Sequence, residues 1–204
     1  MKKIFLTGIL GILFVGISFA QTPRIGITAG LNVSNETGTG VTNSNFKAGF
    51  QAGVVADFGI TQNFSIMPEL LFTQRGYKFK GDDYSDAVSN TLDYLQLPIN
   101  AAYKFDVGMG SKVFVFAGPY FGYGISGTSK DDTAGSSNSI KFGSNGDLKP
   151  FDFGINVGVG YEYEKVFIKL QYNQGLININ NSTDYTDYSI RNQNIAITVG
   201  YYFN

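Results

Sequence analysis

The sequence contains a spacing that is used for nucleotide binding, GxGxxG, from Gly122 to Gly127. In dinucleotide-binding folds this spacing lets the backbone approach a pyrophosphate, which the N-terminus of the following helix then binds. The residues after Gly127 are Thr-Ser-Lys-Asp-Asp, a polar stretch that predicts a loop and not a helix. We therefore interpret the match as fortuitous and predict no nucleotide or other cofactor.

Catalytic and metal-binding chemistry is limited by composition, because the 204 residues include no His and no Cys. A Ser-His-Asp triad, a His-based zinc site and a thiolate nucleophile are therefore excluded. Carboxylates could bind Ca²⁺, but those of the predicted loops lack the spacing of an EF-hand. We predict that these acids are solvated, and that the protein is not an enzyme and has no metal site. They are Asp82, Asp83, Asp86, Asp131, Asp132, Asp184 and Asp187.

The balance of positive and negative charges also limits the kinds of partner that the protein can bind. Lys and Arg number 15 and Asp and Glu number 16, so there is no electrostatic basis for binding nucleic acid. Charged residues make up 15% of the chain, below the usual share of about 25%. Seven charged residues of both signs sit in segments where polar and apolar residues alternate, which is the period of a β-strand. These residues are Lys47, Glu69, Arg75, Lys104, Asp152, Glu162 and Lys169.

The alternation is clearest between Phe151 and Tyr163. Every odd position there is apolar or aromatic, and every even position is Asp, Gly, Asn or Glu. A helix would mix these two sets around its circumference, whereas a strand places them on opposite faces. The same character recurs along the chain and predicts eight strands. Their ranges are 24–34, 46–58, 64–75, 92–105, 113–126, 151–163, 166–175 and 192–203.

The N-terminus predicts a secretory signal peptide. Two lysines precede the uncharged apolar run 4–17, and Ser18–Ala20 places small residues at the −3 and −1 positions of a cleavage site before Gln21. A membrane anchor is the alternative, but the run is short for a helix of about 20 residues. We predict a cleaved signal peptide at 1–20 and a mature domain at 21–204.

The connections between the predicted strands alternate strictly in length. In an up-and-down barrel this alternation places every long loop at one end and every short turn at the other, as in outer-membrane barrels. The long loops are rich in Gly, Ser, Thr, Asn and Asp, which is typical of solvated loops. The long connections are 35–45, 76–91, 127–150 and 176–191, and the short ones are 59–63, 106–112 and 164–165.

The position of the apolar face distinguishes two classes of barrel. A secreted lipocalin-like barrel holds a small apolar ligand inside, whereas a membrane barrel turns its apolar face toward lipid. Here the opposite face carries Gly, Lys, Asp, Asn, Gln and Glu, which suits a crowded interior. We predict an all-β fold, an eight-stranded antiparallel up-and-down transmembrane β-barrel, with the soluble barrel as the alternative. For 113–126, where both faces are partly apolar, we favour Val115, Ala117, Phe121 and Tyr123 pointing outward.

Two groups of residues define the expected site. The seven charged residues named above should pair inside the lumen, because an unpaired buried charge is costly, and eight strands leave no open pore. Aromatic residues near the short turns should form a girdle at the periplasmic interface of the membrane. They are Phe58, Phe64, Tyr103, Phe105, Tyr161, Tyr163, Tyr201 and Phe203.

Five short sequences, in this order and spacing, carry a family resemblance. They are 26–32 (GITAGLN), 68–76 (PELLFTQRG), 94–98 (YLQLP), 117–120 (AGPY) and 200–203 (GYYF). The chain resembles the small outer-membrane barrels of the OmpX/OmpA-like type. It is similar in particular to the outer-membrane β-barrel domain proteins of Bacteroidetes, of the porin family and PorT-like type.

The resemblance implies an integral protein of the outer membrane of a Gram-negative bacterium, with four extracellular loops. We expect a structural or surface-interaction role; the resemblance also implies a porin-like or secretion-assisting role as an alternative. The expected partners are outer-membrane lipid, the barrel assembly machinery and an extracellular protein bound through the loops. The loop tyrosines Tyr84, Tyr185 and Tyr188 are candidates for that last contact.

Overall fold

The computed structural model describes residues 22–39, 44–79, 87–131, 135–143, 146–181 and 189–204. Across these ranges, no helix is long and apolar enough to span a membrane. The predicted signal peptide lies outside the described residues. So do the three loop tyrosines and the acids Asp82, Asp83, Asp86, Asp132, Asp184 and Asp187.

The described part of the chain contains nine strands. Their bounds are β1 Arg24–Thr37, β2 Ser44–Gly59, β3 Phe64–Phe79, β4 Val88–Gly108, β5 Ser111–Asp131, β6 Ser137–Ile140, β7 Phe151–Tyr163, β8 Val166–Gly175 and β9 Arg191–Tyr202.

All strands except β6 form a closed antiparallel barrel. Each pairs with the next along the chain, β5 pairs directly with β7, and β1 pairs with β9 to complete the ring. The closing ladder joins Ile27 to Tyr201 and Val33 to Ile195. Beyond it, the side chain of Asn204 donates to the carbonyl of Pro23 at 2.9 Å. The prediction of an eight-stranded up-and-down barrel is therefore confirmed.

The strands extend beyond their predicted ends on the side of the long connections. β3 continues to Phe79, β4 begins at Val88, and β5 continues to Asp131. The added residues are mostly polar, so the sequence shows no apolar alternation there. Backbone pairing with the neighbouring strand extends the β-structure through them. The prediction that 127–150 is entirely loop was wrong, because β6 pairs with 127–130 of β5.

The apolar face points outward, as predicted for a membrane barrel. In β1, Ile27 and Leu31 are exposed, whereas Thr28 and Asn32 are buried. In β5, the favoured outward set Val115, Ala117, Phe121 and Tyr123 is exposed. The soluble alternative, with an apolar cavity inside, does not describe this barrel.

The interior is packed by aromatic rings that lie over glycines of neighbouring strands. A Cβ on Gly160 would lie 2.2 Å from Cζ of Phe114, and one on Gly200 would lie 2.0 Å from Cζ of Phe167. Both distances are impossible for real atoms, so any larger residue would displace a ring. The prediction of an inner face made of glycine and polar groups missed these rings. The segment of Phe114 is apolar on both faces, and Phe167 is a single ring on an otherwise polar face.

Tight turns join the strands at one end. The β7–β8 turn has two residues, with Glu164 at φ 52°, and the β4–β5 turn places Met109 at φ 54° and Gly110 at φ 73°. In the β4–β5 turn both central positions thus have positive φ, which is typical of the turn type whose twist matches a β-hairpin. This end is called the short-turn end below, and the opposite end the long-loop end.

Candidate functional site

Four charged side chains meet inside the short-turn end. Lys104 Nζ lies 2.5 Å from Asp57 Oδ2 and 3.2 Å from Glu162 Oε2. Arg24 reaches the same two carboxylates, at 2.5 Å from Asp57 and 2.6 Å from Glu162. Its guanidinium also stacks over the ring of Tyr202, 4.2 Å from the centroid. Two cations and two anions thus form a balanced group, which we call the lower cluster.

A second ion pair crosses the middle of the lumen. Lys169 Nζ on β8 lies 2.5 Å from Glu69 Oε1 on β3. Three barrel strands separate β8 from β3 in either direction around the ring, so the pair joins opposite walls. Asn100 donates to the same carboxylate at 3.4 Å and accepts a hydrogen bond of 2.6 Å from Asn156.

A third group lies closer to the long-loop end. Arg75 Nη1 is 3.4 Å from Asp152 Oδ2, and the guanidinium also donates to Gln96. The same carboxylate oxygen accepts from the hydroxyl of Tyr120 at 3.1 Å and from Nδ2 of Asn192 at 3.0 Å. Asp152 is fully buried, and each of these contacts compensates part of the cost of burying it.

Six of the seven charged residues expected in the lumen belong to these three groups. The seventh, Lys47, is partly buried and donates to the hydroxyls of Ser89, at 3.0 Å, and Thr91. Sequence reasoning missed Arg24 and Asp57 as members of the network. Each lies on the polar face of its strand: Arg24 is on the same face of β1 as Thr28, and Asp57 is on the same face of β2 as Gln51. The alternation along these strands could therefore have identified both residues.

The aromatic residues predicted for the girdle all lie on the outer face near the short-turn end. Phe64 pairs with Tyr103, and Tyr103 contacts Phe105 with ring centroids 4.9 Å apart. Tyr161 exchanges a hydrogen bond of 2.8 Å with Ser111. Phe58 and Phe64 are half-buried and the other six are exposed. These six are Tyr103, Phe105, Tyr161, Tyr163, Tyr201 and Phe203.

The mouth of the barrel at the long-loop end is covered by apolar side chains. Leu92, Tyr94 and Leu148 form a buried cluster, against which Phe142 and Ile190 pack. We call this group the mouth cap. Phe142 and Tyr94 meet edge to face, with their centroids 5.5 Å apart.

Hydrogen bonds between two connections hold the mouth cap in place. The side-chain amide of Asn181, after β8, donates to the carbonyls of Gly143 and Gly146 at 2.9 and 2.8 Å. The backbone amide of Lys149 donates to the carbonyl of Ile179 at 2.8 Å. The connection before β7 is therefore fastened to the connection after β8, across the top of the lumen.

Glu36 lies beneath this cover and differs from the other buried acids. It follows Val33, the last apolar outward residue of β1, by three positions, so it lies beyond the lipid-facing band. The residue is 4% exposed, and burial raises the pKa of its carboxyl to about 8. Within the described ranges it forms no ion pair, and Oε1 has no hydrogen-bond donor.

Among the residues that the structure describes, no three Asp or Glu side chains converge so that they could hold an ion. The carboxylates of the three lumen groups are instead engaged with Lys or Arg. The arrangement is suited to filling and bracing the interior of a barrel.

Comparisons with known proteins agree with this geometry. A family model described as "Outer membrane protein beta-barrel domain" matches residues 19–181. Among solved structures, the chain is similar to Neisserial surface protein A (NspA), with 15% identity, a TM-score of 0.52, and coverage of 90% of this chain and 100% of that one. It is similar in the same way to a major outer membrane protein from Thermus thermophilus, with 14% identity, a TM-score of 0.52, and coverage of 90% and 100%. These two likenesses show the fold alone. A search of curated proteins found no match.

Proposed function

Since the chain belongs to the outer membrane protein beta-barrel domain family, we propose that it is a sealed barrel whose function resides in its surface loops. The protein lies in the outer membrane, and its eight barrel strands are transmembrane strands. The barrel anchors and orients the long connections at the cell surface, where they contact an extracellular protein or support the integrity of the membrane. It conducts no solute and catalyses no reaction.

The observation that carries this proposal is the ion pair between Lys169 and Glu69. Its members come from opposite walls and are each 1% exposed, so the pair occupies the full width of the lumen. The rings of Phe116 and Phe167 both lie near the ammonium, each with its centroid 5.6 Å away. A solute would have to separate two buried opposite charges, which is strongly unfavourable.

The mouth cap supports the same conclusion at the other end. Leu92 and Tyr94 are fully buried beneath Leu148 and Phe142. The lumen is therefore obstructed by charge in its middle and by apolar packing at its mouth. A transport role would require both obstructions to move together.

The outer face supports lipid as the main partner. Its exposed residues are apolar along the strands and aromatic near the short turns, as expected for a band that meets the hydrocarbon and its interface. Dependence on the barrel assembly machinery for insertion is part of the same proposal. A protein partner would bind at the long-loop end, where the connections extend above this band.

Conductance in planar bilayers tests the sealed lumen. Residues 21–204, refolded in detergent, should give no stable conductance steps. The matched comparison is the double variant Glu69→Ala with Lys169→Ala, which removes the crossing pair without leaving a lone charge and should give brief openings. Large, stable steps from the unaltered chain would overturn the proposal.

A genetic comparison tests the role of the loops. A deletion strain should be complemented with the full chain or with a variant whose residues 176–190 are replaced by a Gly-Ser linker. We expect surface adhesion to be restored by the full chain and not by the variant, with both chains showing heat-modifiable gel migration as folded barrels. A defect in protein secretion with unchanged adhesion would contradict the proposal.

A further inference from the structure

A cavity of about 200 Å³ lies under the mouth cap at the long-loop end. A space for one water needs only about 10–15 Å³, so this cavity accommodates a small organic molecule. Its lining residues come from the long-loop end of the strands and from the connections before β7 and β9. Its lining combines acidic, amide and aliphatic side chains, including Glu36, Asn90, Leu92, Asp147, Leu148 and Ile190.

Two buried acceptor atoms of this cavity have no donor. Glu36 Oε1 and Asn90 Oδ1 are buried and have no hydrogen-bond partner. Elsewhere in the described lumen, Asp57, Glu69, Asp152 and Glu162 each have a Lys or Arg within 4 Å. Leaving a buried acid without a compensating cation is unfavourable, and among the buried acids that the structure describes Glu36 is the one with no Lys or Arg within 4 Å.

Apolar residues in the rest of the lining indicate what kind of molecule the cavity could bind. Leu92, Ile140, Leu148 and Ile190 supply an apolar wall, and no Lys or Arg is among the lining residues that the structure describes. A hydrated divalent ion would leave this wall without a contact. A molecule with hydrogen-bond donors and a positive charge at one end, and an apolar group at the other, complements both parts.

We propose that this cavity binds a small primary ammonium compound that carries an apolar group. The ammonium donates to the carboxylate of Glu36 and to the amide oxygen of Asn90. The apolar group packs against Leu92, Leu148 and Ile190. Binding takes place from the cell exterior and needs no passage through the lumen, so the site operates in a sealed barrel.

Calorimetric titration in detergent micelles at pH 8.5, above the pKa of the Glu36 carboxyl, tests the proposal, with phenethylammonium chloride as the probe and 2-phenylethanol as its uncharged counterpart. The unaltered chain should bind the ammonium compound, and the alcohol about tenfold more weakly or not at all. Glu36→Gln should lose binding by the same factor. The matched control, Glu164→Gln, makes the same change at an exposed acid of the short-turn end and should bind normally.

A second variant separates loss of charge from loss of fold. Ile190→Phe fills part of the apolar wall and leaves Glu36 in place, so it should weaken binding of the ammonium compound while the barrel retains heat-modifiable migration. The proposal is overturned if the unaltered chain binds neither probe, if the alcohol binds equally well, or if Glu36→Gln binds as tightly as the unaltered chain. None of these outcomes affects the conductance test, so the two proposals fail independently.

Discussion

At the short-turn end of the lumen, Arg24 and Lys104 share Asp57 and Glu162, whereas at the long-loop end Glu36 is buried without a cation in the described residues. The lower cluster therefore closes its end by balanced charge. The mouth cap closes the other end by apolar packing over an uncompensated acid. The difference indicates that stability governs the residue types at the first end, while the second retains a group that reduces stability.

The largest expected effect follows from breaking the balance of the lower cluster. Lys104→Met leaves Asp57 and Glu162 with Arg24 alone, and loss of one partner of a buried ion pair costs about 3–5 kcal/mol. Urea unfolding in lipid vesicles, followed by far-ultraviolet circular dichroism, measures the change.

The control for this prediction is Lys112→Met, which changes a partly exposed lysine at the same end. The double variant Lys104→Met with Glu162→Gln removes the excess charge as well and should be more stable than Lys104→Met alone. If Lys104→Met and Lys112→Met unfold at the same urea concentration, the lower cluster does not brace the barrel.

The second effect is a dependence of the stability of the barrel on pH, which is caused by Glu36 at the long-loop end. Burial raises the pKa of this carboxyl from 4.5 to about 8, so the folded protein retains a proton that the unfolded chain has released. Stability should be greatest below pH 4.5 for this group, and it should fall as pH rises toward 8, by at most about 1.4 kcal/mol per pH unit.

Unfolding midpoints at pH 5, 7 and 9 measure this slope. Glu36→Gln should flatten it, and Asp147→Asn, which changes an exposed acid of the same cavity, should leave it in place. Identical profiles for the unaltered chain and Glu36→Gln would show that the carboxyl at the mouth titrates normally.

The third and smallest effect concerns the packing above the lower cluster. Gly160→Ala forces a methyl group into the ring of Phe114, and such overpacking costs about 1–3 kcal/mol. Adding Phe114→Leu should recover part of this loss, because the shorter side chain leaves room for the methyl group. Urea unfolding of the single and double variants checks the effect, and a double variant less stable than Gly160→Ala would contradict the packing argument.

The sequence predicts the barrel because lipid imposes a period of two along each strand. That period identified β7 and β8 with their observed bounds, and it correctly oriented β5 despite its two apolar faces. Where lipid imposes nothing, the signal disappears, which is why β6 and the polar extensions of β3 and β4 were missed. The long-loop end is the region that sequence describes least well.

The sequence predicts which residues face the lumen, but it does not predict which of them pair with each other. Alternation places Lys169 and Glu69 on the inner face, but their meeting depends on the curvature and stagger of the closed ring. The mouth cap depends on contacts between two connections without periodicity, such as Asn181 with Gly143. The sequence does not distinguish Glu36 from other acids. Only the three-dimensional structure shows that no cation lies near it among the described residues.

The ladder between β1 and β9 has a consequence for how the barrel is made. Every hydrogen bond in this seam joins the first strand to the last, so it brings together residues separated by almost the whole domain. Until the seam forms, two strand edges would present unpaired amides and carbonyls to hydrocarbon, which is prohibitively unfavourable. A chain lacking β9 would leave the edges of β1 and β8 unpaired, so it should form no stable barrel in the bilayer. Closure of the seam between β1 and β9 is therefore the step on which stable membrane insertion depends.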